Sequence, residues 1–217
     1  MDEGAKLGQE ERADKPGIDM KIALLSYEYP PETGFGGIGT YTYYQARGLA
    51  KLGHDVHVLA GATAATDLRT SEHDGVIVHR FRRDGALMRG LRHLDRARLC
   101  WTKNRIENAW SMYAGLKRLL RRHTFDLVEM PECGAEGALI NHLTDLPTLM
   151  KFHSPARLIM PFYDVTRADT TLCSAVEQLG IRGAQAFTAC SQFVADEVAS
   201  KLNVARHVRE FAIAVEL

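Results

Sequence analysis

KIALLSYEYPPETGFGGIGTYTYYQARGLAKLGHDVHVLAG, residues 21–61, carries the reading of this chain. Its first six residues are a short, almost wholly apolar run, as a parallel strand buried on both faces requires. A loop with Pro30 and Pro31 follows, and then glycines at 34, 36, 37 and 39. From about Ile38 to Leu52, Tyr41, Tyr44, Ala46, Leu49 and Leu52 recur largely at helical spacing, and Gly53 ends the run as a glycine just past a helix does. HDVHVLAG, residues 54–61, reads as the next strand. Strand, helix and strand at this spacing form one unit of an open parallel sheet.

Gly34, Gly36 and Gly39 satisfy G-x-G-x-x-G, which raises a dinucleotide site. Two of its requirements fail. The fingerprint places its first glycine directly after the strand, so that a tight turn brings the helix N-terminus under the pyrophosphate; here Gly34 comes eight residues after Ser26, behind two prolines. It also needs an acidic residue at the end of the second strand, whereas that strand ends Val-Leu-Ala-Gly and Asp55 stands at its beginning. An NAD-dependent oxidoreductase therefore ranks last. What remains is a glycine-rich loop opening a helix at the carboxyl edge of a sheet. Its free N–H groups and the positive helix end can receive an anion, most simply a phosphate. Gly36, Gly37 and Gly39 remove the Cβ atoms that would keep a ligand off the backbone. The alternative is a loop that binds nothing.

The same alternation continues. VIVHRF (76–81) reads as a strand, an irregular basic region follows, and an amphipathic helix is expected over roughly 104–122 with Ile106, Ala109, Trp110, Tyr113, Leu116 and Leu120 on one face. DLVEMPE (126–132) is a strand, GAEGALINHL (134–143) helical and PTLMKFHS (147–154) a strand. A helix near 168–183 precedes AFTACS (186–191), Ser191 is placed to cap the helix that begins at Gln192, and VREFAIAVEL (208–217) reads as a last strand. The expected fold is α/β: a single Rossmann-like domain over 20–217, its parallel sheet covered by helices on both faces. Residues 1–19, dense in both signs of charge with no apolar core, read as a disordered tail and neither a signal peptide nor an anchor.

Lys plus Arg and Asp plus Glu both number 27, so net charge argues neither for nucleic acid nor for an acidic protein. The cysteines, Cys100, Cys133, Cys173 and Cys190, are far apart, with no C-x-x-C pair, and read as reduced cytosolic thiols. No stretch reaches the roughly 18 apolar residues of a spanning helix.

E-Y-P-P-x-x-G-x-G-G-I-G-T-Y followed by L-A-x-L-G-H-D-V-H-V-L closely resembles the N-terminal half of family 4 glycosyltransferases of the GT-B fold. FDLVEMPECGAEG, PTLMKFHSP and AFTACSQFVADEV agree in order, as softer matches. The resemblance implies an acceptor-side domain of a retaining enzyme that moves a sugar from a nucleotide-sugar to a glycan, lipid-linked or small-molecule acceptor. By it, Gly36, Gly37, Ile38 and Gly39 lie near the donor diphosphate and the acceptor, and Thr40 and Tyr41 within reach of the acceptor. It also puts His153 close to the transferred sugar as the catalytic candidate, and Glu132 on a sugar or acceptor hydroxyl. A histidine satisfied by backbone at a strand end is the alternative for His153. Glu129 is read as structural, Ser191 as a cap, and His54, His57 and His79, which lack metal spacing, are given no role. No metal or other cofactor is expected beyond the nucleotide-sugar. The resemblance further implies that the C-terminal donor domain is absent from this chain, which is then either a fragment or truncated product or works with a second chain that supplies it, and that the isolated chain is inactive. A non-catalytic sugar- or phosphate-binding module is the competing reading.

Arg80, Arg82, Arg83, Arg89, Arg92, Arg96, Arg98, Lys103 and Arg105 lie in one segment, and Lys117, Arg118, Arg121 and Arg122 close the next helix. With Leu87, Met88, Leu91, Leu94, Leu99 and Trp101 interleaved, region 80–122 suits an anionic membrane surface. A solvated basic face is the alternative. No nucleic-acid fold accompanies the charge. The setting is then cytoplasmic, peripheral at the inner face of the membrane if the basic region binds lipid.

Overall fold

The computed structural model describes residues 19–34, 36–202, 204 and 208–210. The tail expected over 1–19 lies outside this range up to residue 18, as does the expected last strand beyond residue 210. β1 (Lys21–Ser26) and β2 (Asp55–Ala60) flank α1 (Gly37–Lys51), the unit read from the opening stretch. β3 (Thr66–His73), β4 (Val76–Arg82), α2 (Ala86–Arg96), α3 (Cys100–Leu119), β5 (Leu127–Pro131) and α4 (Ile140–Leu143) follow. β6 (Thr148–Phe152), α5 (Ala156–Ile159), a 3-10 turn (Met160–Phe162), α6 (Arg167–Gly183), β7 (Ala186–Ala189), α7 (Gln192–Lys201) and β8 (Val208–Glu210) complete the described chain.

The strands form one sheet in the order β3-β4-β2-β1-β5-β6-β7-β8. Side chains alternate across it. Ile22, Leu24, Val56, Val58 and Val78 pack under α1 with Ala46, whereas Ala23, Leu25, Leu59 and Phe81 pack against Met112, Leu116 and Leu119 of α3. Period-two alternation within runs that are apolar throughout is what a doubly covered sheet needs.

Four expectations need correction. The sheet is not wholly parallel, because β3 pairs antiparallel with β4 at its edge. Asp74 and Gly75 make the tight hairpin, both at positive φ (53° and 75°), the conformation that suits the twist of the paired strands. β3 is mostly exposed and polar, so hydrophobic periodicity could not reveal it. Second, the region read as irregular contains α2, none of whose residues is buried. Third, α3 begins at Cys100 rather than near 104: Asp169 of α6 accepts from the amides of Trp101 (3.0 Å) and Thr102 (2.8 Å), a cap supplied from 67 residues or more away in sequence. Fourth, the helix expected over 134–143 contracts to α4, since Gly134 and Ala135 are in the left-handed region (φ 89° and 57°) and break it. Ser191 caps α7 as expected, its Oγ accepting from the Val194 amide at 3.2 Å.

Arg105 of α3 meets Glu177 of α6 at 3.1 Å, with side-chain exposures of 3% and 2%. The other oxygen of Glu177 accepts from the Ala156 amide at 2.7 Å. Truncating one partner strands the other charge. Glu177→Ala is therefore expected to cost about 3–5 kcal/mol in urea denaturation, whereas replacing both residues with Met and Leu should cost clearly less.

Candidate functional site

All the parallel strands present their carboxyl ends to one edge, where a cavity of about 610 Å³ opens. The β1–α1 loop walls it with Tyr27, Glu28 and Ile38, the first turns of α3 with Trp101, Asn104 and Asn108, and the loop after β5 with Cys133 and Glu136. An adjoining cavity of about 410 Å³ shares Tyr27, Asn104 and Asn108 and adds Arg82, Arg83, Arg89 and Arg92.

The β1–α1 loop is held from beneath. Arg80 donates to the carbonyls of Tyr29 (3.0 Å), Pro30 (2.8 Å) and Gly61 (3.1 Å), and Thr33 Oγ1 donates to the Tyr27 carbonyl at 2.7 Å. Arg80 and Arg105, counted above in the basic segment, are thus buried clamps and no part of a basic surface.

Gly36 is the N-cap of α1, extended and without a side-chain cap, so the helix amides there have no local partner of that kind. Only part of the reason given for the glycines holds. A Cβ on Gly36 would sit 2.6 Å from Glu28 Oε2, and one on Gly39 would sit 2.9 Å from the Glu28 carbonyl oxygen. These two glycines admit the chain's own β1–α1 segment. Of the three, Gly37 alone would place a Cβ in open space, and it is exposed. Glu28 lies against the helix end, where a carboxylate is favoured by the dipole. Ile38 is half-buried in the cavity wall and Thr40 is exposed.

Tyr41 does not line this cavity. Its hydroxyl bonds Glu129, its ring lies edge-on to His153 with centroids 5.1 Å apart, and the Lys151 ammonium sits 3.8 Å from its ring centre. Gln45 Nε2 donates to Glu129 at 2.7 Å, so the buried Glu129 is the hub of a packed polar cluster, as its place inside a strand suggested. His153, half-buried just past β6, is held against protonation by burial first and by Lys151 second, its pKa lowered to about 4. At neutral pH it is a neutral imidazole that can donate or accept one hydrogen bond at each nitrogen.

Glu132 does not reach the cleft. It is fully buried, and its two oxygens accept from the amides of His153 (2.9 Å) and Ser154 (2.6 Å). The carboxylate fastens the end of β6 and sets where His153 stands. Burial, reinforced by Glu177, raises its pKa to about 7.

Glu136, quoted above within GAEG but given no role, is the residue the sequence reading missed. It is 3% exposed and lines the cavity; Oε1 accepts from the Tyr27 amide at 2.8 Å, while Oε2 is buried with no hydrogen-bond partner. Burial is the main cause that raises its pKa to about 8. The only signal for it was an acidic residue between glycines in a loop at the carboxyl edge. His57 and His79, set aside above, come together with His123 elsewhere in the fold.

A largely parallel α/β sheet with an aromatic-walled cleft at its carboxyl edge defines the class: a Rossmann-like domain. Residues 35–210 match the profile of Glycosyltransferase Family 4, and the chain belongs to that family. No curated protein matches the sequence. Among solved structures, sucrose-phosphate synthase from Thermosynechococcus elongatus aligns with a TM-score of 0.64 at 16% identity, over 89% of this chain and 48% of that one. The catalytic domain of starch synthase IV from Arabidopsis thaliana, bound to ADP and acarbose, aligns with 0.57 at 12% identity, over 92% and 52%. An α,α-trehalose-phosphate synthase (UDP-forming) from Burkholderia xenovorans, in complex with glucose-6-phosphate, aligns with 0.53 at 10% identity, over 90% and 50%. The chain thus spans about half the length of these structures, and the likeness is one of fold: the Rossmann-like N-terminal half of a GT-B glycosyltransferase.

The raised carboxyls predict a pH effect with a definite sign. A group with its folded pKa above the unfolded value binds more protons folded than unfolded, so its stabilising contribution is present at low pH and lost as pH rises through the folded pKa. For Glu136 the window runs from 4.5 to about 8. Glu136→Gln, which keeps an acceptor for the Tyr27 amide, is expected to reduce the fall in Tm across that window.

Proposed function

We propose that this chain is the acceptor-side domain of a retaining glycosyltransferase that moves a sugar from a nucleotide-sugar to a sugar-containing acceptor. The observation that carries the reading is the cavity wall: the unpartnered oxygen of Glu136 beside the partly exposed indole of Trp101. A sugar ring matches both, a hydroxyl to the carboxyl and an apolar ring face to the indole. On this reading the acceptor fills the 610 Å³ cavity. The donor diphosphate approaches the amides at Gly37 from across the cleft, and His153 hydrogen-bonds the sugar being transferred or the departing phosphate. Acceptor attack on the face from which the diphosphate leaves needs positioning and charge stabilisation more than a strong protein base. Neither metal nor organic cofactor enters it. Groups that hold the donor come from a second domain or a second chain, and residues 1–217 alone do not turn over.

The exposed helix α2 supports a place at an anionic membrane surface, on the cytoplasmic side. Leu87, Leu91 and Leu94 recur at helical spacing, Leu87 is 45% exposed, and Arg89, Arg92 and Arg96 are all exposed.

Titrating the chain with sugars and sugar phosphates should change Trp101 fluorescence saturably. The change should vanish in Trp101→Phe, with no nucleotide-sugar consumed at any point. Turnover by the isolated chain, or an unchanged titration in that variant, would refute the reading; binding that persists without turnover when a donor-side domain is supplied favours a non-catalytic module. Co-sedimentation with anionic vesicles at low salt checks the membrane reading, with Arg89→Ala and Arg92→Ala each weakening it by about 1 kcal/mol.

A further inference from the structure

Three histidines far apart in sequence meet on the α3 side of the sheet. His57 comes from β2 and His79 from β4, 1% and 2% exposed, and His123 follows the end of α3. One ring nitrogen from each lies within 4.8 Å of the others. His57 Nδ1 and His79 Nε2 are 2.8 Å apart, and the outward nitrogens of both rings face oxygen. His57 Nε2 is 3.1 Å from Asp55 Oδ1, though not aligned as a hydrogen bond, and His79 Nδ1 is 2.9 Å from Thr70 Oγ1.

That arrangement has the form that the outer shell of a metal site takes. Carboxylate or hydroxyl oxygens behind two imidazoles set ring orientation and tautomer so that the remaining lone pairs converge. We propose that His57 Nδ1, His79 Nε2 and a ring nitrogen of His123 bind a divalent transition-metal ion, best matched by Zn²⁺, with a fourth position open to solvent. His79 and His123 line a cavity of about 360 Å³, which provides an entry path and room for the fourth ligand. Arg121 and Arg122 line the same cavity, as does Arg118, which is paired with Asp67 at 2.7 Å, and Lys21 pairs with Asp55 at 2.9 Å, so the net positive surroundings suit an anion such as hydroxide or halide as the fourth ligand. Zn–N bonds of about 2.0–2.1 Å set tetrahedral N···N separations of about 3.4 Å. The inner pair therefore opens by a few tenths of an ångström while the half-buried His123 closes in.

A hydrogen-bonded relay from Thr70 through His79 and His57 toward Asp55 would satisfy two of the rings without metal. It assigns nothing to His123, and it ends on the misaligned contact at Asp55. The proposed site is separate from the cleft, because α3 contributes to the cavity with its first turns and to the histidine cluster with the residues beyond its end, and its 20 residues span about 30 Å. The ion would tie β2, β4 and the end of α3 together.

The test uses the full chain without an affinity tag, stripped of metal by a chelator. Co²⁺ should bind at one equivalent with the intense visible bands of tetrahedral coordination, Zn²⁺ should bleach them, and Tm should rise with Zn²⁺. His123→Ala, at a partly exposed position, should abolish the tetrahedral bands. Asp55→Asn should keep them but weaken binding by about 10–100-fold, and His93→Ala on exposed α2 should change nothing. Absence of saturable binding in the unaltered chain overturns the proposal, leaving the relay; so does an equal loss in His93→Ala, which would mark surface binding only. Should His123→Ala fail to fold by circular dichroism, His123→Gln and the Asp55→Asn affinity decide by the same criteria.

Discussion

A sheet of parallel strands has to be covered on both faces, and that constraint organises everything else in this protein. Each strand must return to the same starting edge through a crossover, so the covering helices tend to begin where the strands end. The carboxyl edge therefore collects loops, helix N-termini and uncommitted backbone amides, while the faces are consumed by packing. Ala23, Leu25, Leu59 and Phe81 are spent on α3 and Ile22, Leu24, Val56 and Val58 on α1, and only the ends of these strands are free to meet a ligand.

The floor of that edge is unusually rich in buried carboxyls, and each has a different structural consequence. Glu129 holds Tyr41 and Gln45, Glu132 fastens the end of β6, and Glu177 joins α3 to α6 and to the turn at Ala156. Glu136 alone has an oxygen without a partner. Three of the four are fully engaged in packing, and the fourth keeps a buried oxygen without a hydrogen-bond partner. His153 belongs to this logic, since its backbone is anchored by Glu132 and its ring is braced by Tyr41, so the imidazole is presented on a rigid support. The chain's family, glycosyltransferase family 4, is thus built here on a rigid carboxyl edge.

Much of this was legible in the residues. The apolar run at 21–26, the helical recurrence of Tyr41, Ala46 and Leu49, and the failure of the dinucleotide fingerprint on loop length needed only local spacing, because strand and helix periodicities are written over a few residues. The glycine loop and His153 became sugar-site candidates through the family resemblance and not through local spacing. The polar edge strand β3 left no hydrophobic pattern, and only the Asp-Gly pair at 74–75 announced its hairpin. Arg80 and Arg105 were read with their basic neighbours, although burial makes them clamps, a distinction that charge counting along a chain cannot draw.

By itself the sequence determined the fold class, the family, the direction of the sheet and therefore the edge at which a ligand would be met, since all of these follow from periodicity and motif. Only the tertiary structure decided which polar groups face that ligand and which are consumed beneath it. Glu132 and Glu136 sit four residues apart in one loop, yet one has both oxygens filled by the backbone just past β6 and the other has one oxygen buried without a hydrogen-bond partner. The meeting of His57, His79 and His123 is likewise invisible along the chain. The physical reason is the same in both cases: a side chain's partners and its exposure to water are set by contacts across tens of residues, which no local pattern encodes.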